Sequence, residues 1–455
     1  MADRPRPPVV LILDCGATNI RAIAVDGRGA MVAQASETNR TVADPEHPDY
    51  HIWPIERIWQ KLSSAVGAML RDAPPLEVAA IAVTTFGVDG TIVDSEGAPL
   101  YPVISWKCPR TIPVMESIGR SIDPDELRRV TGLGDFPFNT IYKLVWLREN
   151  RPELVDKASH FLFISSLINH RLTGVATTDW TMLGTSMLTN KTTQTLDGAI
   201  LGAIGLRRDL FPPLRYPGDI VGELSPEASR HLGLEAGTPV ISCGHDTQFA
   251  LFGSGAGIGE PVLSSGTWEV LMVRTDDPGM SGSAHDPDVT TEFDAEQGKY
   301  NLGVQWLASL VIESLKEHLF SDVRATDVYA AMITEAEAAP DRWGDPSLTL
   351  DMLRNGGASL IRRLAKKVGR GRLFRLALHL LANELKAGLE KLEAVSQTQF
   401  DAIRLVGGGA RNRLWNQMRA DTAGVSVRVL ETKETTVLGA AFFAMAGAGI
   451  YPSAN

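Results

Sequence analysis

The sequence predicts an α/β protein built as two lobes, and three observations predict it. The chain has 455 residues, too many for one ordinary core and enough for two lobes of roughly 200 residues each. The run Leu13-Asp14-Cys15-Gly16-Ala17-Thr18-Asn19-Ile20 is echoed by Leu263-Ser264-Ser265-Gly266-Thr267-Trp268-Glu269-Val270. Both read as strand, small polar turn, strand, which is what a duplicated lobe would show. Near the C-terminus, Ala402–Val406, Gly407-Gly408-Gly409 and residues 411–424 read as strand, tight turn and helix.

The elements follow in order. β-rich runs at 9–14, 21–25 and 31–35, separated by short turns, predict an antiparallel meander opening the first lobe. An amphipathic helix over 59–71 leads into a strand over 78–84, and helical spacing returns over 126–131, 142–150 and 163–172. Strands over 239–242 and 261–264 flank a glycine-rich stretch at 253–259, which predicts a hinge and lobes spanning 1–252 and 253–455. The chain ends in a strand over 425–430 and a small-residue helix over 435–448.

Composition narrows the function. The chain is 44% hydrophobic and 22% charged, without low-complexity tracts, so disordered and fibrous classes are disfavoured. A net charge of −10 argues against nucleic acid or an anionic membrane as partner, since both need clustered Lys and Arg. Any phosphate must then be held by backbone amides and a divalent cation. Cys15, Cys108 and Cys243 are widely spread and lack metal-ligand spacing, which predicts neither zinc nor disulfides and fits a reducing, cytoplasmic compartment. The N-terminus lacks the apolar core of a signal peptide, and the 439–450 run is too short to span a bilayer.

Several constellations carry possible chemistry. Gly16, Ala17, Thr18 and Asn19 place small residues at a turn, where backbone amides can face phosphate oxygens and Asp14 can hold a magnesium-bound water; an ordinary hairpin is the alternative. Gly266 and Thr267 form the matching turn. Gly407, Gly408 and Gly409 lie between strand and helix, which allows close backbone approach at a helix N-terminus. Neither a P-loop nor a G-x-G-x-x-G motif occurs in the chain. Asp246, in Gly244-His245-Asp246-Thr247, follows a β run, so it lies where open sheets bind ligands; by local rules it also reads as a helix cap. Asp89 in Gly87-Val88-Asp89-Gly90 reads as a turn residue. Trp106 and Arg110 pair an aromatic with a cation, which suits a sugar pocket or a surface edge.

Taken together these segments resemble the FGGY carbohydrate kinases. Asp14-Cys15-Gly16-Ala17-Thr18-Asn19-Ile20-Arg21 is similar to the first phosphate motif of that family and Phe138 to Asn150 to its first-lobe signature. Gly244-His245-Asp246-Thr247 is similar to the catalytic Asp motif, Ser265-Gly266-Thr267 to the second phosphate motif, and Leu405 to Asn412 to the adenosine motif. The resemblance implies two ribonuclease-H-like, actin-like ATPase lobes with an interlobe cleft, ATP and Mg2+ as cofactors, and a sugar acceptor, with a homodimer allowed. It makes Asp246 the general base and puts Asp14 and Asp246 at the metal. Gly16, Ala17, Thr18, Asn19, Gly266, Thr267, Gly407, Gly408, Gly409 and Asn412 become nucleotide-binding residues. Gly87, Asp89, Trp106, Arg110, His245, Thr247 and Asn301 become sugar contacts. Within the family, residues 85–90 and 104–111 resemble kinases of 6-deoxyketohexoses, fuculose before rhamnulose. Pentuloses are the near alternative, and a catalytically silent sugar sensor on the same fold is the alternative of another class. Residues 321–370 show little of the family pattern.

Overall fold

The computed structural model describes residues 8–266, 268–278, 286–340, 348–431 and 434–455. The chain forms two compact units: unit 1 holds Met1–Gly255, Thr290–Asn301 and Glu434–Asn455, and unit 2 holds Ala256–Val289 and Leu302–Lys433.

Unit 1 is organised by one sheet of six strands: β1 (Pro8–Cys15), β2 (Asn19–Asp26), β3 (Met31–Thr38), β4 (Glu77–Thr85), β5 (Ile220–Glu223) and β6 (Pro239–His245). Their order is β5-β6-β4-β1-β2-β3. The expected meander is present, since β1 pairs antiparallel with β2 and β2 with β3. On the other side β1 pairs parallel with β4, and β4 with β6. Burial explains the order. In β1 every residue from Val9 to Cys15 is buried, as a central strand covered on both faces requires, whereas β3 alternates exposed and half-buried positions at the sheet edge. Helix Ile55–Asp72 packs Ile58, Leu62, Val66 and Met69 into the core on one face.

Unit 2 repeats the plan. Strands β7 (Pro261–Ser265), β8 (Trp268–Thr275), β9 (Tyr300–Leu307), β10 (Ala402–Val406) and β11 (Ser426–Val429) run in the order β9-β8-β7-β10-β11. Strand β7 pairs antiparallel with β8 and parallel with β10, as β1 does with β2 and β4. Helix Arg370–Ser396 buries Phe374, Leu378, Leu381, Leu385 and Leu392 in the unit's core. The 321–370 stretch forms helices Val328–Glu337, Leu350–Asn355 and Gly357–Val368.

The first unit boundary falls at Gly255/Ala256, within the glycine-rich 253–259 stretch. Two later segments, Thr290–Asn301 and Glu434–Asn455, also group with unit 1. Apolar burial is the reason. The C-terminal helix Thr435–Gly447 contributes Val437, Ala440, Ala441, Phe443 and Ala444 to a cluster with Val10, Ile12, Ile23 and Val25. It also crosses helix Asp246–Gly253 in backbone contact: a Cβ on Gly439 would lie 2.0 Å from the Phe249 carbonyl oxygen. Only glycine permits that approach.

Candidate active site

Strands β1, β4 and β6 end side by side, with Asp14 opposite Thr84 and His245 opposite Thr85. Open sheets bind ligands at such carboxyl ends. At the end of β1 the Asp14 carboxylate accepts from Arg21 Nε at 2.8 Å and from Thr84 Oγ1 at 3.1 Å. Arg21 also meets Glu434 at 2.5 Å. Burial nevertheless raises the Asp14 carboxyl above its ordinary value, against the pull of Arg21. In the turn after β1, Asn39 donates to the Gly16 carbonyl at 2.9 Å and to the Thr18 carbonyl at 2.6 Å. Thr18 and Asn19 are exposed at the tip, Gly16 and Ala17 half-buried.

At the end of β6, His245 is the N-cap of helix Asp246–Gly253 and no side chain caps it. Asp246 is therefore the first helical residue, and the cap expected from local rules is absent. Its side chain is half-buried, keeping 31% of its accessibility. Its carboxyl is pushed up to about 7 by burial and by the Asp14 charge, against hydrogen bonds from Thr247. The Thr247 hydroxyl donates to Oδ1 at 3.3 Å. His245 Nε2 faces the same oxygen at 3.5 Å. Burial pulls the His245 imidazole down to about 4, so it is neutral at physiological pH.

Behind His245 lies a buried polar group. Gln248 donates from Nε2 to Glu292 and accepts from Asn301 Nδ2. Burial, with the Asp246 charge, pushes the Glu292 carboxyl up to about 7. Asn301, expected to touch sugar, is fully buried, with its amide nitrogen on Gln248. Gly87 lies beside His245 at the same end of the sheet. A Cβ there would lie 2.6 Å from His245 Nε2, so the imidazole lies flat against bare backbone.

Asp89 and Arg110 have a different place from the one expected. Asp89 is fully buried; it pairs with Lys143, accepts from Trp53 Nε1 at 2.6 Å and from the Trp106 amide at 3.0 Å. Burial raises its carboxyl and lowers the Lys143 ammonium from their ordinary values, and their mutual attraction opposes both shifts. Arg110 has no exposed side-chain surface. Its three nitrogens bond Cys108, Tyr101 and Asp44, and its guanidinium stacks 4.4 Å from the Tyr50 ring. Both side chains, expected to touch sugar, are thus buried and engaged by partners within unit 1. Trp106 is half-buried, and its amide shares the Asp89 Oδ2 with Nε1 of Trp53, which stacks on Phe86. Thr140 Oγ1 and Lys143 Nζ each donate to the Val88 carbonyl at 2.9 Å. Val88 has φ +64°, a strained state for a β-branched residue, held by those two residues of the 138–150 signature.

Unit 2 carries the other expected residues. Gly266 sits in the β7–β8 turn, its amide donating to the Trp268 carbonyl at 3.0 Å; Thr267 lies outside the described residues. Gly407 has φ +91°, and a Cβ on it would lie 2.5 Å from the Ser265 carbonyl oxygen. A Cβ on Gly409 would lie 2.0 Å from Ser265 Oγ, while Gly408 faces open space. The glycine turn therefore lies flat on the end of β7, and Gly407 and Gly408 are exposed. Asn412 caps helix Arg413–Ala423 by accepting from the Trp415 amide at 3.1 Å. Below, buried Glu269 pairs with buried Arg419 and takes Ser265 Oγ at 2.7 Å and Trp306 Nε1 at 2.9 Å.

Gln248 and Glu292 carried no role in the sequence reading. Gln248 shares a helix turn with Asp246 and was within reach of helical spacing. Glu292 comes from a distant strand that no local pattern connects to it.

The FGGY family of carbohydrate kinases matches this chain twice, its N-terminal domain over residues 9–253 and its C-terminal domain over 262–448. An L-fuculokinase of Haemophilus influenzae is 46% identical, the match covering 98% of this chain and 96% of that protein. An L-fuculokinase of Escherichia coli (strain K12) is 44% identical over 98% of this chain and 93% of its own. Among solved structures, xylulose kinase from Rhodospirillum rubrum superposes with a TM-score of 0.82 at 20% identity, covering 97% of this chain and 91% of that one. With both domains matched and identity sustained along the whole chain, the protein belongs to the FGGY family of carbohydrate kinases.

Proposed function

We infer that the protein is an ATP-dependent L-fuculose kinase that forms L-fuculose 1-phosphate and ADP in fucose catabolism. The observation that carries this reading is the 44–46% identity to L-fuculokinases over 98% of the chain. The site chemistry supports it. Phosphoryl transfer needs alignment and charge neutralisation more than covalent help. In this reading unit 1 holds the sugar and the base, with Gly87, Trp106, His245 and Thr247 lining the acceptor. The turns at Gly16–Asn19, Gly266–Thr267 and Gly407–Gly409 hold the nucleotide phosphates and adenosine through backbone amides.

Asp246 is the general base. Its carboxylate accepts the proton of the C1 hydroxyl as that oxygen attacks the γ-phosphorus and ADP departs. A carboxyl value near 7 suits a base working at neutral pH. Magnesium takes hard oxygen ligands, keeps several waters, and is commonly held by one or two carboxylates together with phosphates. Asp14 and Asp246 fit that donor set, and the Asp14 charge raises the Asp246 carboxyl. Among the described residues no cluster of three or more metal-ligating side chains occurs, so the protein's share would be these carboxylates, with water and phosphate supplying the rest. When bound, the ion neutralises charge on the transferring phosphate.

In this reading the use of ATP supports a cytoplasmic location. Among the described residues no helix is long and apolar enough to cross a membrane.

The test is a coupled ADP-release assay across L-fuculose, L-rhamnulose, D-ribulose, L-xylulose and glycerol. L-fuculose is expected to give the highest kcat/KM. A better rate with any other sugar overturns the acceptor assignment, and no sugar-dependent ADP release at all would favour a sensor.

A further inference from the structure

We propose that Gln248 is a positioning residue that holds His245 with its hydrogen on Nε2, so that the imidazole N–H faces Asp246 and orients the carboxylate. The inference rests on the kinase reading for its kinetic consequence, though the tautomer itself can be measured without any substrate.

Gln248 lies in the first turn of helix Asp246–Gly253 and is fully buried. Its two ends are distinguished by its neighbours. Oε1 accepts from Asn301 Nδ2, and Nε2 donates to Glu292 Oε2. Reversing the amide would set its oxygen against the Glu292 carboxylate and its NH2 against that of Asn301. The nitrogen so placed is also 3.5 Å from His245 Nδ1. An N–H pointing there makes Nδ1 the acceptor, and a neutral imidazole then carries its hydrogen on Nε2.

Glu292 does not compete for that role. Its Oε2 is 3.8 Å from Nδ1, beyond hydrogen-bond reach, with the Gln248 amide nitrogen bonded to it. On the far side of the ring, Nε2 faces Asp246 Oδ1 at 3.5 Å, and the Thr247 hydroxyl donates to the same oxygen at 3.3 Å. Two donors therefore face Oδ1. Glu292 and Asn301 both lie on Thr290–Asn301, the short stretch that rejoins unit 1. That single excursion therefore supplies both anchors of the amide. Gly87 completes the arrangement by letting the imidazole seat against backbone.

The primary measurement is on full-length protein labelled with 15N-histidine, without sugar or nucleotide. Two-bond 1H–15N spectra report the tautomer, and the His245 signal is assigned by its loss in a His245→Gln variant. We expect the Nε2-protonated pattern in the wild type; an Nδ1-protonated His245 overturns the proposal. In kinetics, Gln248→Leu is expected to lower kcat about 100-fold, the scale of a misaligned reacting group. The KM for L-fuculose and for ATP should stay within about threefold. Glu292→Gln, whose amide oxygen still accepts from Gln248, should keep most of the rate, whereas Glu292→Leu should fall with Gln248→Leu. Wild-type kcat in Gln248→Leu, or a loss confined to KM, also overturns it. Thermal melts establish that each variant is folded; should Gln248→Leu not fold, the wild-type tautomer decides. If the wild type turns over another sugar instead, the substrate reading fails while the tautomer result stands on its own.

Discussion

Glu269 of unit 2 and the pair Asp246 and Glu292 of unit 1 are acids near strand ends, and they are surrounded in opposite ways. In unit 2 Glu269 meets the buried guanidinium of Arg419, a hydroxyl and an indole N–H. In unit 1 Asp246 and Glu292 have neutral donors around them, from Thr247 and from Gln248, and both carboxyls are pushed up to about 7. A saturated carboxylate fixes geometry, and one short of positive charge is ready to take a proton. The contrast separates an acid that braces the glycine turn from the acid proposed as the base, although both lie near strand ends.

Three changes would break or sharpen that contrast. The largest effect is expected from Asp246→Asn, which keeps the shape and removes the base. Turnover should fall about 100- to 10,000-fold, the usual worth of a positioned general base, while ATP binding by calorimetry stays close to wild type. Near-normal turnover would remove Asp246 from the mechanism. Next is Arg419→Ala, which leaves Glu269 buried without its cation and should lower unfolding stability by about 3–5 kcal/mol in a denaturant titration. The double variant Arg419→Met/Glu269→Leu should recover much of that loss, because no unpaired charge is left behind. A single variant as stable as wild type would deny Arg419 its bracing role. The smallest effect is the pH profile. A base must be deprotonated to accept a proton, and Asp246 holds its proton up to about pH 7. Below that pH kcat/KM should therefore drop about tenfold per unit, and above it level off. A flat profile between pH 5 and about 8 would contradict the raised value.

The sequence exposed those parts of the molecule whose causes are local. Turn glycines, strand periodicity and the Asp246 motif depend on neighbours within a few residues, so β1, β2, β4, β6, β10 and the glycine turn at 407–409 could be read directly. The duplicated turn also pointed to the repeated strand order found in both sheets. Less was legible where distant segments meet. Arg110 looked like a ligand because a cation beside Trp106 suits a sugar, and Asp89 became one only through the resemblance; their partners Asp44 and Lys143 lie 66 and 54 residues away. Those partners convert both into buried supports. Asn412 reads as part of a nucleotide motif, yet its side chain caps the helix that begins at Arg413. Glu292 was invisible because its relation to His245 exists only after Thr290–Asn301 rejoins unit 1.

The C-terminal helix has a consequence for how this chain is made. Val10, Ile12, Ile23 and Val25 are synthesised well before part of their cover, Val437 to Met445. At synthesis rates of about 5–20 residues per second, the stretch between Gly255 and Glu434 takes roughly 10–35 s to emerge. During that interval the sheet that carries Asp14 has one oily face uncovered, a nascent state suited to chaperone binding. A premature stop near residue 434 would leave that face bare for good. It would also remove Gly439 from against the helix that begins with Asp246, so a truncation far along the chain would be felt at the proposed base.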